Sequence, residues 1–254
     1  MNIPKVTIEN LLEAGIHFGH NIRRWNPKME QYIFGVKNKI HIIDLRITLP
    51  LIDEALIKLS EIVSKSGKIL FVGTKKQASN IVENLALETQ ECFVNKRWLG
   101  GTLTNWKTIS HSIKKLDDLE LLLSNKNNDI KLSKKELLNL SRERDKLKLN
   151  IGGIRSLGGI PDILVVFDAV KDKLAILEAK KLNIPVIAVL DTNADPDLVN
   201  YPIPGNDDAL RAINLYANLF KLAIIEAKKN ILPSDAKKNE KPINGLDNEI
   251  KKNK

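Results

Sequence analysis

Ile163-Leu164-Val165-Val166-Phe167 and, one helical stretch later, Val186-Ile187-Ala188-Val189-Leu190 decide the fold. Neither run contains a polar residue. A strand with one face in water alternates apolar and polar side chains, whereas a strand covered on both faces stays apolar throughout. Working outward, Ile40-His41-Ile42-Ile43-Asp44, Ile69-Leu70-Phe71-Val72-Gly73 and Cys92-Phe93-Val94 have a similar character. Helical patterns at Leu49–Ser64, Lys75–Leu87, Lys171–Leu182 and Ala209–Lys228 fall between and after these runs. The alternation predicts an α/β fold, a parallel sheet with right-handed crossovers and helices on both faces.

One segment breaks the alternation. From Leu103 to Ile151 no strand-like run occurs, and Leu103, Trp106, Ile109, Ile113, Leu116 and Leu119 recur at spacings of three and four. After a polar break at Ser124–Lys131, Leu137, Leu140, Leu147 and Ile151 mark a second helix. This predicts an α-helical, coiled-coil-like hairpin over 104–151, inserted between the two parts, 1–103 and 152–229, of the α/β domain. Trp106–Asn150 carries 11 Lys/Arg against 7 Asp/Glu, a net of +4. Gly152-Gly153 and Gly158-Gly159 return the chain to the sheet. The Lys/Asn-rich stretch 230–254 predicts a disordered basic tail. Thr74 with Gln77, and Ser133 with Glu136, have capping-box spacing, and Asn206 before Asp207-Asp208 is placed to cap the last long helix.

Composition limits the function. At 254 residues with 43% hydrophobic and 28% charged side chains, the chain can bury a core without disulfide or metal. Its one cysteine, Cys92, excludes an internal disulfide and multi-cysteine metal sites. Met1–Asn10 has no apolar signal core, and no long apolar run exists, so the expected compartment is the cytosol. Lys plus Arg total 40 against 31 Asp plus Glu, a net of +9, which favours a polyanionic partner.

Enzyme motifs are largely absent. There is no G-x-G-x-x-G after a strand and no G-x-x-x-x-G-K-[ST]. Gly73-Thr74-Lys75-Lys76 reads either as a capped strand-to-helix turn or as a phosphate contact at a helix start. Asn193-x-Asp195-x-Asp197 begins like a calcium loop, but Leu198 and Pro204 stand where glycine and glutamate belong. Asp44, Asp168 and Asp191 end strands and either cap turns or form a metal-dependent hydrolytic site. His17 and His20 lack an evident third ligand, so no metal and no cofactor is expected.

The basic and aromatic blocks point to RNA. The three tryptophans lie in Arg23-Arg24-Trp25-Asn26-Pro27-Lys28, in Asn95-Lys96-Arg97-Trp98-Leu99-Gly100-Gly101 and in Thr102-Leu103-Thr104-Asn105-Trp106-Lys107. Arginine pairs phosphates bidentately or stacks on bases, and aromatic rings offer stacking faces, though these rings are equally suited to anchoring a core. The candidate RNA-binding set is Arg23, Arg24, Trp25, Lys28, Lys75, Lys76, Lys96, Arg97, Trp98, Thr102, Thr104, Asn105 and Lys107.

These same blocks resemble a known family. Ala14-Gly15-Ile16-His17-Phe18-Gly19-His20, Arg23–Met29, Phe71–Ala78, Asn95–Trp106, Asp191–Asp197 and Tyr201–Ala209 follow, in order, the pattern of the bacterial small-subunit ribosomal protein two family. Ala194 departs from the cysteine common at its position, and Ile160 from the usual leucine. The resemblance implies a flavodoxin-like domain with a coiled-coil hairpin, and no enzymatic activity. It further implies a structural constituent of the small ribosomal subunit, on its solvent side near the head–body junction, binding ribosomal RNA and supporting translation. Implied partners are small-subunit ribosomal RNA and neighbouring proteins, including the large messenger-binding protein in bacteria. Neither a membrane nor a small-molecule substrate is implied.

Overall fold

The computed structural model describes residues 4–124 and 133–229. The predicted tail at 230–254 and most of the polar break after Ser124 lie outside the described residues. In chain order the elements are α1 (Ile8–Glu13), β1 (Phe18–Asn21), β2 (Ile33–Lys37), β3 (Ile40–Ile43), α2 (Leu45–Ser64), β4 (Ile69–Val72), α3 (Lys76–Thr89) and β5 (Cys92–Val94). There follow α4 (Trp106–Ser124), α5 (Lys134–Ile151), β6 (Ile163–Val166), α6 (Lys173–Lys181), β7 (Val186–Leu190), β8 (Tyr201–Pro204) and α7 (Leu210–Lys229).

Five strands form a parallel sheet in the order β5-β4-β6-β7-β8. Numbered among themselves, they run 2-1-3-4-5, the flavodoxin-like doubly wound order. The apolar runs behave as their composition requires. Ile69, Phe71, Ile163, Val165, Ile187 and Val189 face α2, α3 and α7. The alternate residues Leu70, Val72, Leu164, Val166, Val186 and Ala188 face α6 and the bases of α4 and α5. The three central strands β4, β6 and β7 thus have two dry faces, and all five residues of β7 are buried.

Three expectations are corrected. The run Ile40–Asp44 is not in the parallel sheet. As β3 it is the middle strand of a separate antiparallel sheet, β1-β3-β2, whose flanking strands carry exposed Phe18, Phe34 and Val36. The fifth parallel strand is instead β8, whose Pro202 and Pro204 disguise it. Proline is tolerated there because β8 is an edge and lacks a neighbour on one side. The Thr74 capping box does not form. Lys75 occupies the cap of α3 without a side-chain bond, and the Thr74 hydroxyl donates to Asp172 at 2.7 Å.

Other local signals behave as read. Ser133 and Glu136 form the reciprocal box at the start of α5. The Asn206 side chain accepts from the backbone N–H groups of Asp208 and Ala209 just before α7. Helix α2 starts four residues earlier than predicted, because Asp44 caps it and Pro50 is accommodated inside it. The helices α4 and α5 pack on each other through Ile109, Ile113 and Leu116, and a Lys115–Glu143 ion pair links them. Farther from the sheet, Leu121, Leu137 and Leu138 are exposed.

Phe71 is fully buried in β4, whereas Leu87 on α3 is 64% exposed. Phe71→Ala should therefore lower unfolding stability by about 3–5 kcal/mol, and Leu87→Ala by less than about 0.5 kcal/mol. Urea unfolding followed by circular dichroism measures both.

Candidate nucleic-acid interface

Parallel strands deliver all their carboxyl ends to one edge of the sheet, and the loops leaving that edge carry the sequence-predicted residues. Lys75 and Lys76 follow β4, and Asn95–Asn105 follows β5. The segment Arg23–Lys28 reaches the same edge from β1, where the Asn26 N–H donates to the Thr192 carbonyl after β7 at 2.7 Å. Gly19 permits this approach, since a Cβ there would sit 2.6 Å from the Thr192 methyl.

The Asn95–Asn105 loop is built around a carboxylate that sequence reasoning missed. Glu178 projects from α6 and is buried. Its Oε1 accepts from Trp98 Nε1 at 3.0 Å and Gly101 N at 2.8 Å. Its Oε2 accepts from Leu103 N at 2.9 Å, Thr104 N at 3.1 Å and the Thr104 hydroxyl at 3.2 Å. Burial alone would raise the pKa of this carboxyl, but the hydrogen bonds from Thr104, Trp98, Leu103 and Gly101 prevail and hold it below the ordinary glutamate value. Gly101, at φ +87°, supplies the left-handed turn that brings its N–H inward. In sequence Glu178 is one charge in an ordinary amphipathic helix. Only its burying position on α6 distinguishes it.

This arrangement sorts the candidates. Trp98 is a core anchor: its ring is 7% exposed and its N–H is engaged by Glu178, so it presents no face to a base. Thr102 is buried with its hydroxyl on the Leu99 carbonyl, and the Thr104 hydroxyl is on Glu178. Trp25 is 38% exposed and lies against His41. Arg23, Arg24, Lys76, Arg97 and Lys107 are exposed and make no ion pair among the described residues. Lys96 is exposed and reaches the Ser79 hydroxyl at 3.2 Å, and the Asn105 side-chain oxygen accepts from Thr108. Lys28 is held by Asp195 at 3.1 Å and Asp197 at 2.6 Å.

Lys75 turns inward. Its Nζ lies 2.8 Å from Asp207, 2.7 Å from Asp208 and 3.2 Å from Asp168. Burial lowers its pKa, but these carboxylates outweigh burial and keep the ammonium charged. The phosphate reading of this lysine is therefore replaced by an internal one. Lys75 binds the end of β4 to the ends of β6 and β8, and fills the place where doubly wound folds hold a small ligand. The strand-end aspartates divide in the same way. Asp168 accepts from Val170 N and Lys171 N, Asp191 from His20 N and Thr192 N, and Asp44 caps α2 without joining them.

The carboxyl edge of this α/β sheet is closed by its own ion network, and among the described residues it is flanked by cations that make no ion pair. The chain belongs to the ribosomal protein S2 family, whose model matches residues 11–227. It is 55% identical over 226 residues to the small ribosomal subunit protein uS2 of Caulobacter vibrioides (strain NA1000 / CB15N), covering 89% of this chain and 84% of that one. The proteins of that name from Chelativorans sp. (strain BNC1) and Mesorhizobium japonicum are 56% and 54% identical over the same length, with 84% and 86% of each covered.

Glu178→Ala leaves the Trp98, Gly101 and Leu103 N–H groups without their acceptor, and should cost about 3 kcal/mol. Because the folded-state pKa of Glu178 is depressed, its contribution is full above the unfolded value of about 4.3 and is lost as pH falls through the folded value. Stability should therefore fall on acidification below about pH 4, and fall less in Glu178→Ala than in the wild type. Urea midpoints between pH 3 and pH 7 decide this.

Proposed function

We propose that this chain is a structural constituent of the small ribosomal subunit, bound to ribosomal RNA through the carboxyl edge of its parallel sheet. Membership of the S2 family supports the place in the subunit. The observation that supports the contact surface is the exposed state of Arg23, Arg24, Lys76, Arg97 and Lys107, which make no ion pair among the described residues, on segments that lie at or follow one edge. The rigid sheet presents these cations to folded RNA, where they neutralise phosphates. Recognition is by shape, because A-form RNA hides its base edges in a deep groove. Lys96, Asn105 and Trp25 fill the surface between them. The segment 104–151 forms a second arm on the α/β body of 1–103 and 152–229, and its net positive charge suits an RNA surface. The protein does no chemistry and works in the cytoplasmic ribosome beside neighbouring subunit proteins. The large messenger-binding protein of bacteria is one of them in this reading.

Sucrose-gradient fractionation of cell extract tests the assignment. The chain should migrate with the small subunit and stay with it when low magnesium separates the subunits. A position only in the light fractions would favour a free RNA chaperone and overturn the assignment.

The contact residues are tested by salt. With six to eight phosphates neutralised, log affinity for small-subunit RNA should fall with log salt at a slope of about −4 to −7. Replacing Arg23, Arg24, Lys96 and Arg97 together with alanine should flatten that slope by about 3. An unchanged slope rejects those residues. Removing 107–148 with the body still folded should reduce incorporation into subunits, and full incorporation would reject the arm.

A further inference from the structure

Of the three tryptophans, Trp25 alone keeps an exposed ring. Trp98 is buried with its N–H on Glu178, and Trp106 packs against the core at the base of α4. Trp25 is 38% exposed. The imidazole of His41 on β3 lies against its indole, with ring centroids 5.3 Å apart and planes 36° from parallel. His41 is buried, and neither of its ring nitrogens has a hydrogen-bond partner among the described residues. That histidine joins no polar network there and serves the indole as a flat backing. An aromatic ring supported from behind and wet in front is suited to stacking.

The ring is also held in place. Trp25 lies between two short 3-10 turns, Ile22–Arg24 and Pro27–Tyr32, each opened by an asparagine cap. Asn21 Oδ1 accepts from Arg23 N at 3.0 Å, and Asn26 Oδ1 accepts from Lys28 N at 3.1 Å. Main-chain bonds fasten both ends of the segment to the body. Ile22 N donates to the Lys39 carbonyl at 3.1 Å, and Asn26 N to that of Thr192 at 2.7 Å. Met29, in the second turn, is fully buried. A side chain that is already fixed loses little conformational freedom when a ligand lands on it.

The charges beside the ring indicate what that ligand is. Lys28 is taken by Asp195 and Asp197, whereas Arg23 and Arg24, immediately before Trp25, are exposed and make no ion pair among the described residues. A purely apolar ligand would leave both guanidinium groups uncompensated. A nucleotide satisfies the whole segment, with a flat base for the indole and phosphates for the arginines. Bases inside an A-form duplex are stacked on one another, so a protein ring reaches a base face only where the nucleotide is unpaired.

We propose that Trp25 stacks one unpaired base of the RNA, in a loop or bulge, with Arg23 and Arg24 on the phosphates flanking it. The site adds one base contact to the recognition by shape along the rest of the edge, and it rests on the RNA reading given above. Every base has a π face, so the site selects an unpaired nucleotide and tolerates any base there.

The test is filter binding of the full-length protein to small-subunit ribosomal RNA over a range of salt, with indole fluorescence followed in parallel. Stacking neutralises no phosphate. Trp25→Ala should therefore weaken binding about 5- to 150-fold and leave the slope of log affinity against log salt unchanged. Trp25→Phe, which keeps an aromatic face, should recover most of that loss, and Trp25→Leu should not. Replacing Arg23 and Arg24 with alanine should instead flatten the slope by about 1.5. RNA should quench the indole emission of the wild type, and the quenching should vanish in Trp25→Phe. Circular dichroism confirms that each variant is folded, and the fluorescence of Trp25→Phe decides the matter if Trp25→Ala unfolds. Wild-type affinity in folded Trp25→Ala, equal affinity of the Phe and Leu variants, or quenching that survives in Trp25→Phe overturns the stacking site alone. Absence of salt-dependent binding by the wild type overturns the RNA reading itself, and the site with it.

Discussion

The loop from Asn95 to Asn105 has no ladder of its own, and the Glu178 carboxylate stands in for one. Backbone N–H groups that leave a sheet edge must find acceptors, and three of them here find one buried carboxylate. The indole of Trp98 joins the same group, so one anion sets both the path of the loop and the seat of its largest side chain. The exposed cations of the loop depend on this. Arg97 is exposed beside Trp98, which is drawn inward, and Lys96 is exposed with its ammonium on the Ser79 hydroxyl. Glu178 lies on α6, which packs on the sheet through Ala175, Ile176 and Ala179. The loop is thereby referenced to the core and not to its own short connections.

A second anionic set does for the rest of the edge what Glu178 does for this loop. Asp168, Asp207 and Asp208 gather the Lys75 ammonium, and Asp172 holds Thr74. A doubly wound sheet offers a crevice where its strand order reverses, and many such folds place a ligand there. In this chain side chains of its own occupy that position. Desolvation pushes the Asp207 carboxyl up, and the charges of Asp168 and Asp191 push in the same direction, so the set is held under electrostatic pressure. The N-terminal segment closes over it. Asn206 N donates to the Ile16 carbonyl, and Asn206 Nδ2 to that of Gly15. The strand-order crevice is therefore closed by the chain's own side chains.

Much of this was legible from pattern. Runs such as Val186–Leu190 identify buried strands because a strand dry on both faces cannot alternate, and that fact is local. The Ser133–Glu136 box and the Asn206 cap are local as well, and both form. Ile40–Asp44 looked like another core strand, since two of its three isoleucines are at least partly buried against other parts of the chain, but composition does not say which sheet a strand joins. Tyr201–Pro204 was hidden because proline speaks against a strand, and only its place at the sheet edge removes that objection. Thr74 had the spacing of a cap and formed a stronger bond to a carboxylate 98 residues away.

The sequence by itself determined what depends on near neighbours and on composition. It set the α/β alternation, the helical stretch between Leu103 and Ile151, the net positive charge and the family blocks. Tertiary structure decided which charges are free. Lys75 and Lys76 are adjacent and identical in type, yet one is enclosed by three aspartates from two loops and the other stands in solvent. Glu178 with its donors, and Lys75 with Asp168, Asp207 and Asp208, are invisible in the same sense. Their members lie far apart along the chain, and a carboxylate acquires its role from what the fold brings within about 3 Å of it.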